Sequence, residues 1–280
     1  MSYKIIGDSC LDCNDEIKKT GKIQLVPLTL EIEDLSVIDD ETFDQLAFIK
    51  AVRESQECPR SACPSPDAFM KAYEGKETRV YCITLSKHLS GSYNSAEVGK
   101  ELYYEEHEGD HKQIAVFSSD SACCGETLVA KKIMELEEKG LSFEEICAQV
   151  EDFIYHMTTL FVLETLDTLK KNGRLTGLAA ILATALNIKP LMGADHGVII
   201  KLDQARGINK ALKKLIDKVA DTVEHPEEKV LGISHCNCPD RAEFVKEAIK
   251  KRVPFKEIYV TNTAGVGTMY ANDGGIVVSF

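Results

Sequence analysis

The first half of the chain alternates short apolar runs with segments in which apolar residues recur at helical spacing. Apolar or β-branched runs predict strands, and recurrence at every third or fourth residue predicts amphipathic helices. The predicted strands are residues 3–6, 23–30, 79–84 and 113–117, and the predicted helices are 14–19, 41–54, 66–75, 91–106, 121–139 and 143–155. This alternation favours a parallel sheet with helices on both faces.

The second half has a different order of elements. Predicted strands cover residues 159–164, 189–193, 198–202, 230–235, 257–261 and 275–280, and predicted helices cover 166–171, 178–185, 210–223 and 241–251. The sequence Ala-Asp-His-Gly at 194–197 is a hairpin turn signal between two of these strands. The predicted fold class is α/β, with a parallel-sheet α/β/α domain at 1–156 and an α+β domain with a mixed or antiparallel sheet at 157–280. A cleft between the domains is the expected ligand site.

Composition and charge narrow the classes of function. Of the 280 residues, 44% are hydrophobic and 28% are charged, which is typical of a globular protein with a filled core. A formal net charge of −12 disfavours nucleic acid and anionic membranes as partners, because both would repel it. No apolar run approaches the roughly 20 residues of a membrane span, and the N-terminus carries no secretory signal. We therefore expect a cytoplasmic protein without an integral membrane segment.

Ten cysteines are present, and without a secretory signal we expect them to be reduced. Cys10 and Cys13 form a C-x-x-C pair, and Cys236 and Cys238 form a C-x-C pair. A zinc site would need pairs at suitable spacing in knuckle-like turns. Because both pairs fall where predicted strands end, buried thiols are the preferred interpretation and no metal site is predicted.

Polar segments follow several predicted strands, at Asp8-Ser9, 61–65, Ser90-Gly91-Ser92 and 118–121. In a doubly wound sheet such turns gather along the carboxyl edge, where ligands bind. Serine and aspartate at these positions also cap helices, and capping is the preferred interpretation for 118–121. For the turn at Ser90 both interpretations stay open, because the glycine between two hydroxyls lets a ligand approach the backbone.

Catalytic motifs give little support for an enzyme. The chain has no G-x-S-x-G elbow, no G-x-x-x-x-G-K-[ST] loop and no G-x-G-x-x-G turn. A serine hydrolase would need a base within reach of its nucleophile. The alternative hypothesis is therefore an acyl hydrolase that uses Ser90 with His88 or His235.

Segments along the whole chain resemble the DegV family, whose better-understood members are the fatty-acid-binding subunits of bacterial fatty acid kinase. The segment L-S-G-S-Y-N-S-A at 89–96 is the most specific match, to the family's L-S-G-T-Y-Q-S-A. The others, in family order, are I-I-G-D-S at 5–9, S-A-C-P-S-P at 61–66, L-D-T-L-K-K-N-G-R at 166–174, I-K-P-L at 188–191 and A-R-G at 205–207.

The resemblance implies a long-chain fatty acid buried between two domains and no other cofactor. Carried onto this chain, the carboxylate would be held by Ser61, Ser90 and the backbone N–H of Gly91. Further candidates for the pocket are Asp8, Ser9, Ser92 and Tyr270. Tyr270 falls where the family has a histidine, and a phenol can bond a carboxylate but is no base at neutral pH. The apolar helix at 178–185 could line a tail channel or serve domain packing.

The resemblance also implies a protein without catalysis of its own. In the kinase system a separate ATP-binding subunit phosphorylates the bound carboxylate to an acyl phosphate. The arginine of the R-G segment, Arg206 here, is the residue implied in docking that kinase.

Overall fold

The computed structural model describes residues 2–175 and 187–280. The predicted helix at 178–185 lies outside the described residues. The strands are β1 Tyr3–Asp8, β2 Ile23–Val26, β3 Thr29–Ile32, β4 Leu35–Ile38, β5 Arg60–Ala62, β6 Arg79–Thr84, β7 Gln113–Ser118, β8 Thr159–Val162, β9 Ile188–Asp195, β10 Val198–Arg206, β11 Val230–His235, β12 Glu257–Asn262 and β13 Ile276–Ser279. The helices are α1 Asp15–Lys19, α2 Gln45–Glu54, α3 Pro66–Tyr73, α4 Ser92–Glu106, α5 Cys124–Glu138, α6 Phe143–His156, α7 Asp167–Lys171, α8 Ile208–Thr222, α9 Pro239–Lys250 and α10 Gly265–Ala271.

The first sheet, sheet A, is parallel and has the order β2-β1-β6-β7. Successive side chains of a strand point to opposite faces. Ile5 accordingly packs in the core cluster beneath α5 and α6, whereas Ile6 packs in the cluster beneath α3 and α4. Every residue of β6 is buried, as expected for a central strand covered on both faces. The predicted α/β/α arrangement is confirmed.

The prediction of one strand at 23–30 is wrong. The chain pairs in sheet A as far as Val26, and then enters a second sheet at Thr29. Pro27 lies between the two segments, and proline has no N–H to continue a ladder. The second sheet, sheet B, is antiparallel with the order β4-β3-β5. Its outer strands β4 and β5 were not predicted.

The third sheet, sheet C, is mixed and has the order β10-β9-β8-β13-β11-β12. Helices α8 and α9 cover one face, where Leu160 and Val278 lie in the core. The hairpin between β9 and β10 closes with His196 at φ 45° and Gly197 at φ 82°. Two positive φ angles are typical of the type I′ turn that the sequence signal predicts. The expected mixed sheet of the second half is confirmed.

Helix α10 was not predicted, because two of its seven residues are glycines, which disfavour helix. Carboxylates from distant segments accept its first N–H groups. Asp39 accepts from the N–H groups of Gly265 at 2.6 Å and Val266 at 2.8 Å, and Asp12 accepts from that of Ala264 at 2.8 Å. Burial raises the pKa of Asp12 to about 7 and also raises the pKa of Asp39. The helix therefore depends on long-range contacts.

Sheets A and B use strands that precede residue 157, and sheet C uses strands that follow it. We keep 1–156 and 157–280 as proposed domains. Within residues 2–175 and 187–280, none of the helices combines the length and the apolar character that a bilayer crossing requires. The same residues contain no group of three or more His, Cys, Asp or Glu side chains placed to hold a metal ion.

Candidate functional site

A cavity with about 820 Å³ of unfilled space lies between sheet C and the carboxyl edge of sheet A. This space includes volume that is open to solvent. Its wall is mainly apolar and includes Leu28, Leu85, Phe161, Leu163, Ile199 and Val277. Its polar lining includes Ser61, Ser90, Ser121, Thr159, Arg174 and Tyr270. The cavity could therefore enclose a long apolar ligand with a polar group.

The sequence predicts that the polar turns gather at the carboxyl edge of sheet A, and hydrogen bonds join several of them there. Asp8 Oδ2 accepts from the N–H of Leu85 at 3.0 Å, at the start of the turn that leads to Ser90. The N–H of Ser86 donates to the carbonyl of Ser121 at 2.9 Å. The expectation that 118–121 caps the next helix is wrong, because α5 begins after Cys123 and has no side-chain cap. The segment 118–121 instead accepts a hydrogen bond from the neighbouring turn, through the Ser121 carbonyl.

Ser90 lies at the cavity wall directly before α4. Its hydroxyl accepts from the N–H of Ser92 at 3.2 Å and lies 3.0 Å from the Ser92 hydroxyl. Gly91 is the N-terminal cap residue of α4, is exposed, and is not among the described lining residues. The turn thus fixes the Ser90 hydroxyl against Ser92, and Ser90 lines the cavity.

Ser61 lies in β5, where it pairs with Leu30, and not in the turn that the sequence predicts. The hydrogen-bond ladder of sheet B fixes its position. Its hydroxyl lies 3.2 Å from the hydroxyl of Tyr270 at the end of α10. Both side chains line the cavity. Two predicted residues that are 209 positions apart are therefore joined at one end of the site.

Arg174 is a lining residue that sequence reasoning did not select. Arg174 is the last residue of the segment at 166–174 that resembles the family. This resemblance was the one sequence signal that could have selected it as a site residue. Its Nε donates to the carbonyl of Leu89 at 3.0 Å, and its Nη1 donates to the carbonyl of Asn172. The guanidinium carbon lies 5.9 Å from the ring centre of Tyr270. A positive charge is thus held near the Tyr270 ring and bonded to the backbone of the residue before Ser90.

Asp8, Ser9 and Ser92 are fully buried or nearly so, and they are not among the described lining residues. Burial raises the pKa of Asp8 to about 6, although its backbone hydrogen bonds oppose the shift. The Ser9 hydroxyl donates to Asp39 Oδ2 at 2.8 Å and accepts from the N–H of Leu28 at 3.0 Å. Asp8, Ser9 and Ser92 are therefore buried behind the described cavity wall and are not part of it.

Two of the free thiols, Cys10 and Cys123, line the cavity. The hydrogen bond between them lowers the pKa of Cys123, but burial and the nearby acidic groups, Asp12 and Glu126 among them, together outweigh it and raise this pKa to about 12. The pKa of Cys10 is raised well above its ordinary value by the same hydrogen bond and by burial. Both thiols are neutral near pH 7 and contribute an apolar, polarizable surface.

The other predicted residues lie away from the cavity. Arg206 is exposed at the end of β10. His88 is exposed, and His235 is buried with its Nδ1 facing the N–H of Cys238 at 3.3 Å. No histidine occurs among the described residues that line the cavity. The geometry therefore gives the Ser90 hydroxyl no described basic partner, which weighs against the hydrolase alternative.

Comparison with known proteins gives matches over the full length of the chain. The family model described as "Uncharacterised protein, DegV family" matches residues 2–280. A DegV domain-containing protein of Streptococcus pneumoniae strain R6 is 31% identical, with 100% of this chain and 99% of the relative covered.

Solved structures match equally well. The crystal structure of a DegV family protein from Ruminococcus gnavus with vaccenic acid is 47% identical, with a TM-score of 0.96 and 100% of both chains covered. The fatty acid kinase B3 protein of Streptococcus pneumoniae, loaded with linoleic acid, is 30% identical with a TM-score of 0.89, and the match covers 100% of this chain and 99% of that one. A matching family model, sequence relatives and solved structures agree, and the chain belongs to the DegV family.

Proposed function

We propose that the protein binds a long-chain fatty acid in the cavity between sheets A and C. One observation carries the proposal: a mainly apolar cavity is lined by Ser61 and Tyr270, whose hydroxyls lie 3.2 Å apart, and by Arg174, whose guanidinium carbon lies 5.9 Å from the Tyr270 ring. The carboxylate would lie against Ser61, Ser90, Tyr270 and Arg174, and the acyl chain along Phe161 and its apolar neighbours. The backbone N–H of Gly91 remains part of the proposed carboxylate site.

The energetics assign separate roles to the two parts of the cavity. A chain of ~16 carbons removed from water gains about 0.8 kcal/mol per methylene, or about 12 kcal/mol before ordering costs. A charge-assisted hydrogen bond to the carboxylate contributes about 1.5–3 kcal/mol. The apolar wall would therefore set most of the affinity, and the polar groups would select the acid over other lipids.

Similar proteins support the proposal through their ligands. The Ruminococcus gnavus protein holds vaccenic acid, and the Streptococcus pneumoniae protein holds linoleic acid. A DegV family protein from Eubacterium eligens, 25% identical with a TM-score of 0.89, was loaded with heptadecanoic acid. These acids share a carboxylate and a long aliphatic chain.

The purified protein is expected to carry a fatty acid. Organic-solvent extraction followed by mass spectrometry should release a long-chain acid in close to equal molar amount to the protein. Delipidated protein should then bind added palmitate more tightly than 1-hexadecanol, which has the same chain without a carboxylate. Protein that yields no lipid and takes up no palmitate would rule the proposal out.

We further propose that the protein is not itself an enzyme and that it presents its lipid to an ATP-dependent kinase subunit. Arg206 is the proposed docking residue. It lies exposed on the edge strand of sheet C, where an incoming protein could reach it. An acyl phosphate would then form on the bound carboxylate, with the kinase supplying the ATP site.

Replacing Arg206 with alanine is expected to slow acyl phosphate formation about tenfold when a fatty acid kinase subunit and ATP are added, because an interface charge is lost. Palmitate affinity should not change, since Arg206 lies outside the cavity lining. Arg252→Ala is the matched control, because this arginine is also partly exposed and pairs with Asp217. Equal rates for the Arg206 variant and the control would remove Arg206 from the docking site.

A further inference from the structure

Glu126 is a buried acidic side chain that the proposed carboxylate site does not use. It lies in the first turn of α5, is 0% exposed, and neither of its carboxyl oxygens has a hydrogen-bond partner among the described residues. Its carboxyl group faces the Asp8 carboxyl group and the Cys10 thiol. Burial and the neighbouring charge of Asp8 raise the pKa of Glu126 well above its ordinary value. A buried carboxylate without donors is very costly, so Glu126 keeps its proton.

Asp8 is placed to share that proton. Its Oδ1 accepts from the N–H of Cys10 at 3.1 Å, and its Oδ2 accepts from the N–H of Leu85 at 3.0 Å. Burial raises the pKa of Asp8 to about 6, although these two bonds oppose the shift. Two neighbouring carboxyl groups do not ionise independently, and their protons belong to the pair. We call Asp8 and Glu126 the carboxyl pair, which holds about one proton near neutral pH.

Two serine hydroxyls connect the carboxyl pair to the proposed carboxylate site. The Ser92 hydroxyl forms a hydrogen bond with the Asp8 carboxyl group. It also lies 3.0 Å from the hydroxyl of Ser90, which lines the cavity. A ligand carboxylate bonded to Ser90 would thus be three hydrogen bonds from Asp8, or within about 9 Å at about 3 Å for each bond.

The other described groups that face the carboxyl pair are neutral thiols. They belong to Cys10, to Cys82 in β6 and to Cys123 at the start of α5. Burial raises the pKa of Cys82, and the Cys10 and Cys123 thiols are also neutral near pH 7. A ligand carboxylate would repel a negative charge about 9 Å away strongly enough to shift its protonation about tenfold. Arg174 in the cavity wall would compensate part of this repulsion.

We propose that the carboxyl pair takes up a proton when a fatty acid carboxylate binds, so that the pair couples ligand affinity to pH. This inference rests on the proposed fatty acid binding and assigns a means of regulation to the same site. With the added proton, Asp8 donates to Ser92, Ser92 donates to Ser90, and Ser90 donates to the ligand. The proton comes from the solvent and returns to it when the ligand leaves. Affinity therefore rises as the pH falls.

Calorimetry tests the proposal on the unmodified chain. Palmitate is titrated into delipidated protein in buffers of different ionisation enthalpy, and the buffer dependence of the heat gives the number of protons taken up. We expect about half a proton per palmitate at pH 7, and an affinity that rises about tenfold from pH 8 to pH 6. 1-Hexadecanol carries no charge, so its binding should take up no proton. Palmitate binding without proton uptake would overturn the proposal.

Glu126→Gln assigns the proton to the carboxyl pair. Glutamine has nearly the same size and can donate an N–H to Asp8, but it has no proton to exchange, so the uptake should disappear. Asp12→Asn is the matched control, because this carboxyl group is also buried with a pKa of about 7 but bonds Ser234 and the N–H of Ala264. It should keep the uptake. Uptake that persists in the folded Glu126 variant would come from the ligand and would overturn the proposal.

Ser92→Ala tests the connection and does not depend on the stability of the Glu126 variant. It keeps both carboxyl groups and removes the hydroxyl between Asp8 and Ser90, so proton uptake should fall to less than half. Thermal unfolding checks that each variant is folded. Unchanged uptake in Ser92→Ala would also count against the proposal. Failure of palmitate itself to bind is a separate result, and it would count against the proposed function.

Discussion

Replacing Arg174 with methionine is expected to weaken palmitate binding roughly 10- to 100-fold, with a change of at most about threefold for 1-hexadecanol. Methionine keeps an unbranched stem in place of the arginine methylenes and removes the charge. The acid loses its charge-assisted hydrogen bonds, whereas the alcohol never had them. Titration of both ligands into delipidated protein measures the two losses.

The size of this effect follows from the place of Arg174. The guanidinium carries five N–H donors, and its Nε and Nη1 bonds to the Leu89 and Asn172 carbonyls aim it at the wall beside Tyr270. Ser90→Ala removes a neutral hydroxyl, and its expected loss is smaller because a neutral bond contributes about 0.5–1.5 kcal/mol. We therefore expect Arg174 to provide most of the discrimination between acid and alcohol.

Arg174→Lys is the control for the charge, since lysine keeps it without the planar fork. It should lie between the wild type and the methionine variant in palmitate affinity. Thermal unfolding of each variant checks that the fold persists. Equal losses for palmitate and 1-hexadecanol would assign Arg174 to packing and remove it from the carboxylate site.

Replacing Glu137 with alanine is expected to lower the free energy of unfolding by about 3–5 kcal/mol. Arg79 Nη1 lies 3.1 and 3.2 Å from the two carboxylate oxygens of Glu137, and the Tyr81 hydroxyl donates to Oε1 at 2.6 Å. The side chains of Arg79 and Glu137 are 9% and 5% exposed, respectively. The variant therefore leaves a buried guanidinium without its carboxylate and a phenol without its acceptor.

The matched comparison is the double variant Arg79→Met, Glu137→Leu, which removes both charges. It should recover most of the lost stability, because an apolar pair has no buried charge to compensate. Urea unfolding followed by far-UV circular dichroism suits a chain with no tryptophan. If Glu137→Ala lowered the free energy of unfolding by less than about 1 kcal/mol, water would have to reach the Arg79–Glu137 pair and screen it.

Local sequence was sufficient for several elements. Strands β6 and β11 begin and end at the predicted residues, 79–84 and 230–235. Both are continuous runs bounded by polar turns, and both are largely buried, so the pattern alone fixes their length. The hairpin turn at 194–197 could be predicted equally well, because its conformation depends on the residues of the turn itself.

Other elements depended on partners far along the chain. Helix α10 contains two glycines and takes its N-terminal acceptors from Asp12 and Asp39, more than 200 positions away. Strand β5 has three residues and exists as a strand through its pairing with β3. The local sequence predicts neither element, because the hydrogen bonds that stabilise them come from distant segments of the chain.

The sequence by itself determined the fold class, the family resemblance and the hydroxyl candidates Ser61, Ser90 and Tyr270, because these depend on local pattern and residue type. Tertiary structure alone decided that Arg174 lines the same cavity, where it donates to the Leu89 carbonyl 85 positions away. It also decided that Ser9 and Ser92 are buried and lie outside the described cavity lining. It also decided that Ser121 and Thr159 share the cavity. Which polar groups meet depends on how the sheets pack, and that packing is fixed by apolar burial over the whole chain.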